Sequence, residues 1–339
     1  MAAEAREAYR REQPGRALDL RAWWFAEMLE TPSPLTEKLT LFWHGHFVSV
    51  QQKVRIAHLM YRQNQVLRRH ALGNFRTLLH AIAHDPVMMI YLDTSGSRSE
   101  AASENFAREV MELFTLGEGH YTERDIKEAA RALTGWAVNR DSGEVVFRPR
   151  QYDGGLKTIF GKSGRYDMDA MLDLLLEKPD VSEFIVDKFW KAFVPPAPDP
   201  AEIRRLASVF RNTDYEIKPL LRAILTGDAF YAEANRGVLV KSPVGLPVGT
   251  LREFRFQVNE AAPPAVPIDA RIPPRASGGV NGFAEFDSDG WLGSFRANPD
   301  GGRQLSEALV PLPPVQVGSV TPTLAGIRQL VLDPSYQLK

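Results

Sequence analysis

The chain of 339 residues contains no cysteine, which excludes disulfides, thiolate metal sites and cysteine nucleophiles. It also lacks a charge imbalance. Its 41 basic and 42 acidic residues leave a net charge of −1, so there is no electrostatic footprint for nucleic acid or an anionic membrane. No apolar run approaches the roughly 18–20 residues of a membrane span. The start, MAAEAREAYRREQPGR, is polar and helix-prone without the apolar stretch of a signal peptide, so the chain as written reads as soluble and unexported. GxSxG, P-loop, GxGxxG and paired CxxC patterns are missing, which removes support for nucleotide binding and for the common serine-hydrolase signature. Apolar residues make up 44% of the chain, enough for a sizeable core in one large domain or two.

What is present is an internal echo. Leu29-Glu30-x-Pro32 recurs as Leu176-Glu177-x-Pro179, and Phe42-Trp43 as Phe189-Trp190, both at an offset of 147 (176 − 29; 189 − 42). Leu78-Leu79-x-Ala81-Ile82 recurs as Leu220-Leu221-x-Ala223-Ile224. A duplication fixes architecture, so residues of about 24–93 and 171–235 are expected to form two related helical units. Their cores are expected to hold Phe42, Trp43, Phe47, Phe189, Trp190 and Phe193. His44 and His46 have no counterpart, since Lys191 and Ala192 follow the second Phe-Trp; shared packing therefore does not demand them.

Periodicity predicts a mainly α fold over residues 1–258. Leu35, Leu39, Phe42 and His46 share a helical face after Pro34, and Phe75, Leu78, Leu79 and Ile82 share another that ends before Pro86. A helix is predicted over Glu100–Leu116 with Gly117 at its C-cap. Thr122 is read as the N-cap of the next helix, stapled by Tyr121 and Ile126 and closed by Gly135. The period changes over about 136–160, where a small β-hairpin is predicted around Asp141-Ser142-Gly143. Helices resume at Asp167–Glu177, Val181–Phe193, Ala201–Arg211, Ile217–Leu225 and Val244–Phe256. Between Glu260 and Thr323, ten prolines and eight glycines predict an irregular or disordered segment over 259–323. A C-terminal helix is expected within 324–339.

Three constellations carry candidate chemistry. In His44-Gly45-His46 the two rings point about 200° apart on a helix, so they meet one divalent metal only if Gly45 ends it; otherwise His46 is a core histidine and His44 a polar-groove residue. In Ser103–Gly117, Glu104, Arg108 and Glu112 fall on one stripe with Asn105 adjacent and Glu109 on its flank. That is either a solvated ion-pair ladder or a buried site in which arginine and burial push carboxylates in opposite directions. A catalytic reading needs a second wall, for which Asp93, Asp153 and His44 are candidates, with Trp136 as a binding residue. His80 and His84 have metal-compatible spacing but read as a solvated helix face.

Together EKLTLFWHGHFV, RRHALGNFRTLLHAIAHDPVMMIYLD, SENFAREVMELFTLGEGHYTERDIKEAARALTGW and KTIFGKSG resemble the bacterial family of domain of unknown function 1800, over about Trp23 to Phe256. The resemblance implies exported helical proteins, often encoded beside a second exported family, and brings no established catalytic residues. Three departures stand out. The region before Trp23-Trp24 is short, Tyr152-Asp153 stands where relatives usually have His-Asp, and the usual Pro-Pro-x-x-x-Gly-Trp-Pro-Gly-Gly segment is not recognisable beyond Val258. Two functions are expected: a hydrolase acting on an extracellular polymer such as a polysaccharide, with Glu104, Glu109, Glu112 and His44 as catalytic residues and His46, Asn105 and Arg108 binding; or a non-enzymatic protein assembling with an exported partner. The cofactor is open, a divalent metal included.

Overall fold

The computed structural model describes residues 3–194, 198–239 and 241–253. In chain order the helices are α1 (Ala3–Glu30), α2 (Pro34–His46), α3 (Gln51–Val54), α4 (Ala57–His70), α5 (Phe75–Ala83), α6 (Pro86–Tyr91), α7 (Asn105–Glu109), α8 (Glu123–Ala132), α9 (Met168–Leu176), α10 (Pro179–Phe193), α11 (Pro200–Asn212), α12 (Ile217–Leu225), α13 (Asp228–Tyr231) and α14 (Gly245–Glu253). A π-helix, Val110–Thr115, continues α7. The fold is mainly helical, as the periodicity predicted. In place of one hairpin over 136–160 there are two. β1 (Trp136–Asn139) pairs with β2 (Glu144–Phe147), and β3 (Lys157–Ile159) pairs with β4 (Lys162–Gly164). The first turns at Gly143 (φ 70°), as expected; the second turns at Phe160-Gly161, both at positive φ, which no Asn-Gly or Asp-Gly pair announces. The irregular segment expected over 259–323 and the helix expected within 324–339 lie outside the described residues.

Two compact units divide the described residues: one joins the stretch up to Leu20 with Ser33–Gly227, and the other joins Arg21–Pro32 with the stretch from Asp228 on. In the first, aromatic residues fill the centre. Trp43, Phe47, Phe75 and Phe189 are fully buried, and Trp190 is nearly so. Trp43 donates its indole N–H to Ala71 O at 3.1 Å, which satisfies its polar end. Phe42 and Phe193, expected in the core, are only half-buried. Phe193 ends α10, where its ring stacks one turn back on Phe189 and the Lys38 ammonium sits over it. In the second unit Arg252 donates to the carbonyls of Met28, Leu29 and Thr31, closing the open end of α1.

The echoed segments meet. Phe42 and Phe189 lie 4.6 Å apart, and a bridge joins Asn74 to Glu216 through Phe75 N–Tyr215 O and Ile217 N–Gly73 O, each 2.9 Å. Their offset of 142 (216 − 74) is that of the Leu-Leu-x-Ala-Ile repeat (220 − 78), so matching positions of the two stretches pair with each other.

Candidate functional site

The helix predicted over Glu100–Leu116 forms in a different register. Residues before Asn105 are held as a turn by the Arg98–Ala101 bridge and by the Ser103 N–H donating to Ser97 Oγ at 3.0 Å. One α-turn later the chain widens to i→i+5 bonding: Leu116 N–H donates to Met111 O at 2.8 Å, and the buried Thr115 hydroxyl donates to Val110 O. The extra residue per turn buries Val110, Met111, Phe114 and Thr115 together. The stripe that a 3.6-residue period predicts is interrupted: Glu104 still contacts Arg108 at 3.5 Å, but among the described residues Glu112 makes no ion pair with Arg108.

Arg108 and Glu112 take their partners at the start of α8, from Glu123, its first residue, and from Tyr121 just before its cap. Arg108 makes a bidentate pair with Glu123 at 2.8 and 2.9 Å and only a 3.5 Å contact with Glu104. The guanidinium holds the Glu123 carboxyl below its usual range. Glu112 instead accepts from the Tyr121 hydroxyl at 2.6 Å. Burial, with that hydrogen bond and the Glu112 charge, pushes Tyr121 up to about 12. Glu109 is half-buried on the flank, where burial first and the Glu112 charge second push its carboxyl up. Asn105 opens α7 and is exposed. Thr122 caps α8 as expected, in a reciprocal box with Asp125.

The histidine pair does not chelate. The α2 helix runs through Gly45 to His46, so the two rings diverge. His46 Nε2 lies 3.1 Å from Phe114 O, which fixes Nε2–H as donor and ties α2 to the π-helix backbone. Burial first, then Lys188, pushes His46 down to about 3, and its Nδ1 is buried without a hydrogen-bond partner. Burial also lowers His44. Among the described residues no group of three or more His, Asp or Glu side chains is arranged to hold a metal ion.

The proposed second wall is engaged elsewhere. Asp93, at φ 59°, pairs with Lys53 at 3.0 Å on the surface. Asp153 takes two bonds from Arg131 at 2.7 and 3.2 Å, which with its other donors holds it below the usual range. Beside it Lys157, fully buried, donates to the Asp153 and Gly155 carbonyls and sits over the Tyr152 ring. This explains why a lysine follows the Tyr-Asp pair: it pins the loop. Trp136 packs edge-on to His84 at 4.9 Å and against Phe147 at 5.0 Å.

The His80–His84 face is not simply solvated. His80 lies 2.8 Å from Asp169 and 3.2 Å from Asp173, and His84 2.9 Å from Asp169, tying α5 to α9. Sequence reading also missed Tyr121 as a partner of Glu112. A tyrosine just before a capping box was the available signal, read only as a staple.

These elements define a mainly helical protein with two small hairpins, in which Glu109 and Glu112 flank the start of a π-helix. A family model described as protein of unknown function (DUF1800) matches residues 1–298, and the chain belongs to that family. No curated protein and no solved structure matches it. Among the described residues no helix is long and apolar enough to cross a membrane.

Proposed function

We propose that this protein is a hydrolase whose acid–base pair is Glu109 and Glu112, acting on an extracellular polymer such as a polysaccharide. One observation carries the reading. Two neighbouring carboxylates are differentiated by their surroundings: Glu109 is pushed up by burial and by the charge of Glu112, while Glu112 is hydrogen-bonded by Tyr121. A carboxyl raised by burial beside one held by a hydrogen bond suits a division of the work between acid and base. Glu109 then donates a proton to the leaving oxygen, and Glu112 accepts one from the attacking water. Both acids come from one wall, so the scissile bond lies against that wall, with the attacking water beside Glu112. His46 supports the site by holding Phe114 O, while Arg108 is taken up by its pair with Glu123.

The test is turnover of a broad panel of polysaccharide, ester and amide substrates. Glu109→Gln and Glu112→Gln are nearly isosteric and should each lower turnover roughly 10²–10⁴-fold without lowering the melting temperature. Wild-type turnover in both variants would remove the pair, leaving His44→Ala to test a histidine centre. A second reading, assembly with an exported partner protein, is favoured by Leu113, which is 46% exposed beside Glu112. If nothing on the panel is turned over, that reading gains. Leu113→Asp should then abolish capture of the partner.

A further inference from the structure

We propose that Tyr121 is the positioning residue of the Glu109–Glu112 pair: its hydroxyl donates to Glu112 and holds that carboxylate in place without cancelling its charge. This inference rests on the acid–base reading above and names the group that positions Glu112 within it. Its basis is how the segment 121–123 sorts the charges. Arg108 at the end of α7 and Glu112 in the widened turn are both in reach of that segment. Glu123 takes the guanidinium in a two-pronged pair, and Tyr121 takes the carboxylate. An arginine on Glu112 would cancel its charge; a phenol orients the carboxylate and leaves the charge acting on Glu109. The 2.6 Å separation lies in the range of an O–H donor on an ionised acceptor.

The donor is rigidly placed. Immediately after it, Thr122 N and Oγ1 donate to Asp125 Oδ2 at 2.9 and 2.6 Å. Asp125 Oδ1 accepts from Phe160 N at 2.6 Å, which ties the cap to the β3–β4 turn. The chain reaches Tyr121 through Gly117 and Gly119, at φ 81° and 85°, where side chains are strained.

Arg108 and Glu118 are the other charges that act on Tyr121. On α10, Asp180 pairs with His120 and Lys178, Asp187 pairs with Lys191, and Lys188 acts on His46, with Glu183 on the same helix. On α9, Asp169 and Asp173 are held by His80, His84 and Arg76.

Carboxyl ¹³C NMR of the full chain labelled at glutamate Cδ tests the assignment without requiring activity. The Glu109 signal is identified by its loss in Glu109→Gln. In Glu112→Gln the Glu109 midpoint should fall, because a neighbouring charge is gone. In Tyr121→Phe it should fall by a smaller amount, because Glu112 is no longer held in place while the ring remains. A fall in Glu112→Gln with none in Tyr121→Phe would overturn the role of Tyr121 and leave the pair standing; no change in either variant would overturn both. Should Tyr121→Phe not fold, ultraviolet titration of tyrosine supplies the second measurement. The Tyr121 phenol, at about 12 in the wild type, should titrate lower in Glu112→Gln, and an unchanged midpoint overturns the proposal.

Discussion

Replacing Asp85 by asparagine should tilt the stability–pH profile in a direction set by a different residue, His46. Asp85 is the N-cap of α6, with Oδ1 accepting from Val87 N at 2.9 Å, Met88 N at 3.1 Å and Gln63 Nε2 at 3.0 Å. Burial outweighs these donors and raises it from 3.8 to about 7. Between those values the folded chain holds a proton that the unfolded chain has lost. The stability tied to Asp85 is complete below 3.8 and is lost as pH rises through about 7. At about 1.4 kcal/mol per unit, this amounts to roughly 4 kcal/mol. His46 has the opposite sign. It is lowered from 6.5 to about 3, so its stability is complete above 6.5 and is lost as pH falls through about 3, roughly 5 kcal/mol in all. The two slopes oppose each other across the shared window, from 3.8 to 6.5. Asp85→Asn keeps an acceptor for the cap and removes only the first slope. Its stability relative to wild type should therefore climb by about 1.4 kcal/mol per pH unit across the window, and that of His46→Gln should fall at a similar rate. Urea unfolding at a series of pH values measures both, and taking variant minus wild type cancels every other titrating group. Difference profiles flat with pH would refute the burial argument for both residues.

Truncating Trp43 to alanine should cost about 3–5 kcal/mol by chemical denaturation, since it empties a fully buried position and leaves the Ala71 carbonyl without its indole donor. Trp190→Ala, at the echoed position and also buried, should fall in the same range. Arg68→Met removes the two 2.8 Å bonds to the buried Glu37 and should destabilise by about 3 kcal/mol, whereas Glu37→Leu with Arg68→Met should recover most of that loss; a double variant as unstable as the single would show that packing, not charge, sets the cost.

The sequence by itself determined the helical class, the buried Trp43 and Trp190, and several helix ends. Gly117 and Gly135 do stand at positive φ, and Thr122 does cap α8. All of these follow from residue type and short-range periodicity, which act within a turn or two of chain. The same logic failed at the candidate site because it assumed 3.6 residues per turn through Glu112. The widened turn is fixed by what Val110, Met111, Phe114 and Thr115 bury against and by His46 holding Phe114 O from 68 residues away. Past that change of register Glu112 pairs with Tyr121, while Arg108, just before it, reaches Glu123, 15 residues on. His80 and His84 likewise looked solvated until α9 placed Asp169 against them, 89 and 85 residues later. The side chains were all legible in the sequence, but their partners were not. An ion pair or hydrogen bond is decided by which surfaces the packed core brings within about 3 Å, and no local rule of spacing contains that distance.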